Sequence, residues 1–506
     1  MAENTSNISI SHYVPSSRDS GPAGGEPRPE LADVSRLGRR LVGKAVRAAR
    51  GPEQPVSRAL HDHLGPAAGQ LPVVSGTWQP YDHVNLQVGL DAWLAEPGRE
   101  HELLGLTGFR HREFGLADLV QGGIDVQGFG IGNVSTVALP AGPGGRTRAC
   151  VATGVYLATD GPARIALLLR APEMFRQNDG LSLEVAAPDS EQAERIVREV
   201  RQLAVRHNVY RGQVISFGGE MFGHRRSGAL SFLDRPHLPR EHVILAPQVL
   251  AGIERQVLGV QRHASRLHAS GQHLKRGVLL HGVPGTGKTH TVSYLIGQLG
   301  QATVIVLTGE ALAMISQACS VARMLQPAVI VVEDVDLIAE QRGPGMGPQP
   351  LLFQLLNEMD GLGEDVDVTF LLTTNRADVL EQALAARPGR IDHAAELPVP
   401  DAEARRRLVQ LYQGRLVLDL ADPEAVITRT DGVTASFLKE LLRKAALFAA
   451  EDAAEDAAGA GGTGADGPLR VTDAHMSGAL DELLDTRNQL TRVLLGGQRA
   501  AAAAAS

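Results

Sequence analysis

The second half of this chain predicts an α/β fold, a parallel sheet closed by a helical lid, and the first half predicts an α+β domain. Three observations carry that prediction. The octapeptide Gly282-Val283-Pro284-Gly285-Thr286-Gly287-Lys288-Thr289 matches G-x-x-x-x-G-K-[ST]. Apolar runs at 277–280, 303–307, 328–332, 368–373 and, more weakly, 394–397 alternate with helical patterns, as a parallel sheet covered on both faces requires. Beyond Asp401 only helical patterns follow, one carrying Phe437, Leu438, Leu441, Leu442, Ala445 and Phe448, another Met476, Leu480, Leu483 and Leu484.

The octapeptide lies between the apolar strand 277–280 and a helix with Val292, Leu295, Ile296 and Leu299 at i, i+3, i+4 and i+7. Its glycines let backbone N–H groups converge on phosphates at a helix N-terminus. Lys288 is expected to reach the β- and γ-phosphates, and the Thr289 hydroxyl to bind Mg²⁺. The predicted nucleotide-binding set is therefore Gly282 to Thr289 with the adjoining His290. The run 328–332 ends in Glu333-Asp334, two carboxylates at the carboxyl end of a central strand, where parallel sheets bind ligands. One would hold Mg²⁺ and the other would orient or deprotonate the attacking water. The strand ending in Thr373-Thr374 would bring the Asn375 amide to the same γ-phosphate.

A length of 506 residues allows two to four domains. The formal net charge of −8 disfavours general nucleic-acid binding, which leans on Lys and Arg. Cys150 and Cys319 have no metal-ligand spacing and read as buried thiols. No run approaches a membrane span, and the first residues lack a secretory pattern, so the cytoplasm is the expected location. Residues 1–30 read as a disordered tail and the stretch 31–50 as a basic amphipathic helix packed on its own domain. The α+β domain then extends to 217. Its strands are expected at 134–139, 150–158, 164–169 and 181–185, its helix is capped by Asp189-Ser190, and a return to strand begins at Val209. It contains no motif with a chemical mechanism. His61, His63 and His111 read as solvated surface. Residues 218–240 read as a linker, 241–400 as the nucleotide-binding domain and 401–490 as the lid. Within the lid, 451–467 reads as a disordered Ala-, Gly- and Asp-rich insert, and 491–506 as a disordered tail.

Over roughly 241–490 these motifs resemble the AAA ATPases, hexameric machines that remodel proteins. Gly282 to Thr289 is similar to Walker A, 327–336 to Walker B, and Asn375 falls on the sensor 1 position. The run from Thr374-Asn375-Arg376 to Arg387-Pro388-Gly389-Arg390 resembles the family's second region of homology. The resemblance makes Arg387 and Arg390 arginine fingers acting on a neighbour's ATP, and implies a six-membered ring. Leu356 to Leu362 is similar to the intersubunit signalling segment, and Gly432 to Ser436 falls where sensor 2 starts a lid helix.

The pattern departs from the family in two places. Walker B usually reads Asp-Glu, and here Glu333 precedes Asp334. The same order occurs in a mitochondrial branch that translocates a folded iron–sulfur protein. The segment 309–326 is short and has no aromatic residue where family unfoldases carry a gripping loop, which puts threading in doubt; Met314 and Ile315 read as helix packing, with a soft apolar contact in place of the aromatic grip as the alternative. The Gly-Pro stretch 343–348 is a second candidate pore loop. No H-E-x-x-H occurs, and the Ala-rich end lacks the hydrophobic-Tyr-X ending that docks family members on the proteasome. The expected protein is a ring-forming Mg·ATP hydrolase that acts on a protein substrate through its N-terminal domain. The competing reading is an ATP-gated scaffold with slow or absent turnover.

Overall fold

A computed structural model describes residues 54–108, 114–122, 129–171, 180–221, 224–336, 350–363, 366–377, 390–460 and 467–484. The N-terminal tail, the basic helix at 31–50, His111, the stretch 343–348, Arg387 and the C-terminal tail lie outside them. The chain divides into two units, Met1–Gln54 and Pro55–Ser506, and every element below belongs to the second.

The first sheet contains β1 (Val73–Trp78), β2 (His101–Thr107), β3 (Gly130–Gly132), β4 (Ser135–Pro140), β5 (Thr147–Asp160), β6 (Ala163–Arg170) and β7 (Leu181–Ala186). Its order is β1-β7-β6-β5-β2-β3, with β4 also paired to β5, and every pairing is antiparallel. Strand β6 is apolar from Ile165 to Leu169 because both faces are covered there. Ile165, Leu167 and Leu169 pack with Leu90, Trp93, Ile196 and Val200 of the helices His83–Leu94 and Ser190–Arg206. Ala166 and Leu168 point the other way, toward Leu60 and Leu119 of the helices Pro55–Leu64 and Leu116–Gln121. Asp189 caps its helix, Oδ1 accepting the amide of Gln192 at 2.8 Å. The helix at 83–94 has no clean apolar stripe because its inward positions include polar groups. The Gln87 amide oxygen accepts the Val151 N–H at 2.9 Å, and His83 Nε2 lies 2.8 Å from the Val151 carbonyl. His61 and His63 are half-buried rather than solvated. His61 Nδ1 contacts the Ser57 carbonyl at 2.8 Å, and His63 Nε2 reaches the carbonyls of Ala158 and Ile165 at 3.0 and 3.1 Å.

The second sheet contains β8 (Val214–Met221), β9 (His224–Leu233), β10 (Arg276–His281), β11 (Thr303–Leu307), β12 (Ala328–Val332), β13 (Val368–Thr374) and β14 (His393–Glu396). Its order is β14-β10-β13-β12-β11-β8-β9. All neighbours are parallel except β8 and β9, which form an antiparallel hairpin. This corrects the expected linker at 218–240, since most of it is strand, and β8 belongs to the second sheet rather than the first domain. Glycines and charged residues hide the alternation of the hairpin, and its strand state comes from pairing β8 to β11, a tertiary effect that local preference does not report.

The hairpin and the segment just before it tie the two halves together. The Tyr210 hydroxyl donates to the Tyr81 carbonyl at 2.7 Å, the Val209 amide donates to Asn85 Oδ1 at 2.9 Å, and Tyr81 sits edge-on to Phe217. Cys150 and Cys319 are free, buried thiols in the shared core. After β9, Arg235 donates to four carbonyls, those of Ile296 and Leu299 at 2.7 Å, Gly212 at 3.0 Å and Ala302 at 3.1 Å. Two of these lie at the C-terminal end of the helix Lys288–Gln298, where a cation offsets the negative helix end.

At the same junction, burial pushes the Asp82 carboxyl up to about 6, against the opposing influence of Asn85 and Arg201. An Asp that titrates near 4 unfolded and near 6 folded keeps a proton in the folded state that the unfolded state has lost. Its destabilising effect therefore grows as pH rises from about 4 to about 6 and is complete above that. Asp82→Asn is expected to stabilise the chain by about 2 kcal/mol at pH 7.5, with the gain vanishing by pH 4, as read by denaturant unfolding at both pH values.

The lid holds helices Ala402–Gln413, Pro423–Arg429, Ala435–Ala460 and Asp473–Leu484. It is not purely helical, because β15 (Val417–Asp419) and β16 (Arg470–Thr472) form a short parallel pair. The helix that starts at Ala435 also runs through the first ten residues of the stretch read as a disordered insert, since Ala is the strongest helix former. Among the described residues no helix is long and apolar enough to cross a membrane.

Candidate nucleotide site

Strand β10 ends at His281 and the chain turns through the octapeptide into the helix Lys288–Gln298. Gly287 precedes that helix at φ +99° and supplies no side-chain cap, so the first N–H groups remain available to an anion. Gly285, at φ +83°, lies against the lid. A Cβ there would stand 2.9 Å from Thr434 Oγ1 and 3.0 Å from the Ser436 side chain, and its carbonyl accepts the Ser436 amide at 3.1 Å. The loop and the turn Gly432 to Ser436 are thus in direct contact.

Lys288 is buried, and Nζ donates back to the carbonyls of Gly282 and Val283 at 2.8 and 3.1 Å. Burial holds its pKa below the usual lysine value, while Asp334 and Asp336 favour its charged form. A desolvated ammonium answered at contact only by neutral carbonyls suits an incoming phosphate. Thr289 and His290 are exposed, and His290 Nε2 contacts the His242 carbonyl at 3.1 Å.

The carboxyl ends of β12 and β13 lie beside the loop. Burial, and then the charge of Asp334, raise the Glu333 pKa above the ordinary carboxylate range. Among the described residues Asp334 alone has a positive φ without being glycine, at 52°. Its amide donates to Thr373 Oγ1 at 3.0 Å, and its Oδ1 accepts the Asn375 side-chain amide at 3.1 Å. The expected pair Asp334 and Asn375 is therefore in hydrogen-bond contact. Asp336, which the sequence placed in the motif without a role, accepts Thr374 Oγ1 at 2.9 Å and the Asn375 amide at 3.2 Å.

Residues 278–399 match the family described as the ATPase family associated with various cellular activities (AAA). The chain carries an AAA ATPase domain. Similar proteins include the ATP-dependent zinc metalloprotease FtsH of Thermus thermophilus, 30% identical over 212 residues that make up 39% of this chain and 34% of that one. The FtsH of Rhodococcus erythropolis is 33% identical over 205 residues, 38% of this chain and 24% of that one. A 26S proteasome regulatory subunit 6B homolog of Dictyostelium discoideum is 35% identical over 188 residues, 34% of this chain and 46% of that one. The chain thus spans less than half the length of each.

Arg390 is placed away from the AAA domain's own loop. Its carbonyl lies against Gly277 at the amino end of β10, and the Asp392 carboxylate accepts the Gly277 amide at 2.8 Å. The octapeptide begins at the other end of that strand, about 16 Å away at roughly 3.3 Å per residue. The Arg390 side chain is 8% exposed and paired with Asp360, and its Nη1 is buried without a hydrogen-bond partner among the described residues. The segment 309–326 forms a 3₁₀ turn, Gly309–Met314, and a helix, Ile315–Met324, with Ile315 buried and Met314 packed on the core. A cavity that the sequence did not show, of about 350 Å³, is lined by Arg240, Glu241, Val243, Leu245, Pro247 and Leu250 beside the lid's Arg407.

Proposed function

We propose that the AAA domain binds Mg·ATP and hydrolyses it within a ring of identical chains, six by the family resemblance, and that the cycle remodels or translocates a protein bound by the α+β domain. The observation that carries this reading is the convergence of three strand ends. The phosphate loop after β10, Glu333-Asp334 after β12 and Asn375 after β13 meet with Asn375 holding the Asp334 carboxylate.

The residues present fit the nucleotide and its cation. Lys288 and the uncapped helix N-terminus would hold the phosphates, Thr289 and Glu333 would hold Mg²⁺, and the cavity at Val243, Leu245 and Leu250 is of a size to take the base. Mg²⁺ held there would neutralise the charge of the phosphates. Asp334 would take the proton of the attacking water, and Asn375 would hold Asp334 and contact the γ-phosphate. Arg390, with Arg387, would act on the neighbouring chain's nucleotide. The orphaned Nη1 supports this, because a buried guanidinium N–H without an acceptor is costly and a neighbour's phosphate would satisfy it. As the chains dock, the Arg390–Asp360 pair would exchange for that contact. The packing of Tyr210, Phe217 and Arg235 supports a stiff connection through which movement at the Lys288–Gln298 helix reaches the α+β domain.

Head-to-tail contacts of this kind close into rings. ATP turnover per chain is therefore expected to rise with protein concentration as the ring assembles, which steady-state phosphate release over a dilution series measures. Tight binding with negligible turnover at every concentration would favour the ATP-gated scaffold instead.

A further inference from the structure

The ends of β12 and β13 are cross-linked by more bonds than the sheet itself supplies. The amides of Asp334 and Val335 donate to Thr373, to Oγ1 at 3.0 Å and to the carbonyl at 2.9 Å. In the opposite direction, one oxygen of Asp336 accepts both the Thr374 hydroxyl at 2.9 Å and the Asn375 backbone amide at 3.2 Å. The Thr374 hydroxyl in turn accepts the Arg376 amide at 3.0 Å. Thr374 is fully buried and Asp336 is 8% exposed, so these bonds have little water to compete with. They fix the backbone on both sides of Asn375, whose side chain then reaches Asp334 Oδ1 at 3.1 Å. Asp334 itself stands in a left-handed conformation that a non-glycine residue keeps only when its surroundings hold it.

We propose that Asp336 is a positioning residue for hydrolysis: it fixes where Asn375 stands, and through Asn375 where the Asp334 carboxylate points. The inference rests on the ATPase reading above. Asp336 bonds to Thr374 and to the Asn375 backbone, so in this role it would act through them rather than on the nucleotide itself. It acts as a hydrogen-bond acceptor, and its charge, which also favours protonated Lys288, is secondary to that role.

The test uses the full chain and reads kcat, ADP affinity and thermal unfolding together. Asp336→Asn retains an oxygen able to accept both bonds and is expected to keep kcat within about threefold of the parent. Asp336→Ala is expected to lower kcat about 10- to 100-fold, the effect of displacing a reacting group by a fraction of an ångström to one ångström, with ADP affinity held within about threefold. Thr374→Val, close in shape and without the donor, should lower kcat in the same direction. In an Asn375→Ala background, Asp336→Ala should cause no further loss, since it acts through the group already removed.

Three results would overturn the inference: Asp336→Asn as impaired as Asp336→Ala, fully additive effects with Asn375→Ala, or kcat, affinity and unfolding temperature falling together. A parent chain that binds ATP without hydrolysing it would remove the ATPase reading and this inference together. A parent that turns over with additive variants would remove this inference alone.

Discussion

Asp334→Asn is expected to bind ATP about as tightly as the parent chain and to lose at least about 10²-fold in turnover, the low end of what a positioned general base contributes. The substitution preserves what the fold asks of position 334. Asn is among the residues most tolerant of a left-handed φ such as the 52° found there. The backbone amide can still donate to Thr373 Oγ1, and an amide oxygen can still accept from Asn375. What the variant lacks is a group able to take a proton from water. By the family resemblance Asp334 would stand one methylene short of the usual glutamate, and the Asn375 contact would fix its direction. The measurement is a single preparation assayed for both nucleotide affinity and phosphate release. Turnover at the parent's rate would move water activation to Glu333, whose raised pKa would then describe the base rather than the metal ligand.

Arg390→Ala is expected to reduce turnover by about 10³- to 10⁵-fold, the range for a phosphate-directed arginine supplied from a second chain. Arg390 adjoins Gly277, at the far end of β10 from the loop that begins at Gly282, so it does not serve its own chain's nucleotide. Within the chain its guanidinium pairs with Asp360 and leaves Nη1 buried without a partner among the described residues. A purely structural arginine of this kind would cost stability when removed, whereas a finger would cost turnover. Unfolding and phosphate release on the same variant separate the two.

The AAA domain was legible because its information is local. The octapeptide, the strand runs and Asn375 sit in the order and spacing that the chemistry needs, and β11 and β12 are almost wholly apolar because they are buried on both faces. What was not legible depends on contacts between distant segments. The β8–β9 hairpin is strand because β11 offers it a free edge, so beyond Phe217 its glycines and charges read as a linker. The helix 83–94 hides its apolar stripe because Gln87 and His83 face inward to bond with Val151. Asp336 lay inside a recognised motif, yet its partners, Thr374 and Asn375, are 38 and 39 residues away. The cavity at Val243 and Leu250 is assembled from the segment ahead of the AAA domain and the lid, and it has no sequence signature.

The central claim is that one chain's arginine completes another chain's ATP site, and mixing two inactive variants tests it most directly. Asp334→Asn has an intact Arg390, and Arg390→Ala has an intact Asp334. Combined and allowed to assemble, they place some sites with a working carboxylate next to a neighbour with a working arginine, and phosphate release is expected to recover to a measurable fraction of the parent rate. No recovery, with both variants shown to bind ATP and to enter the same assembly, would contradict the account.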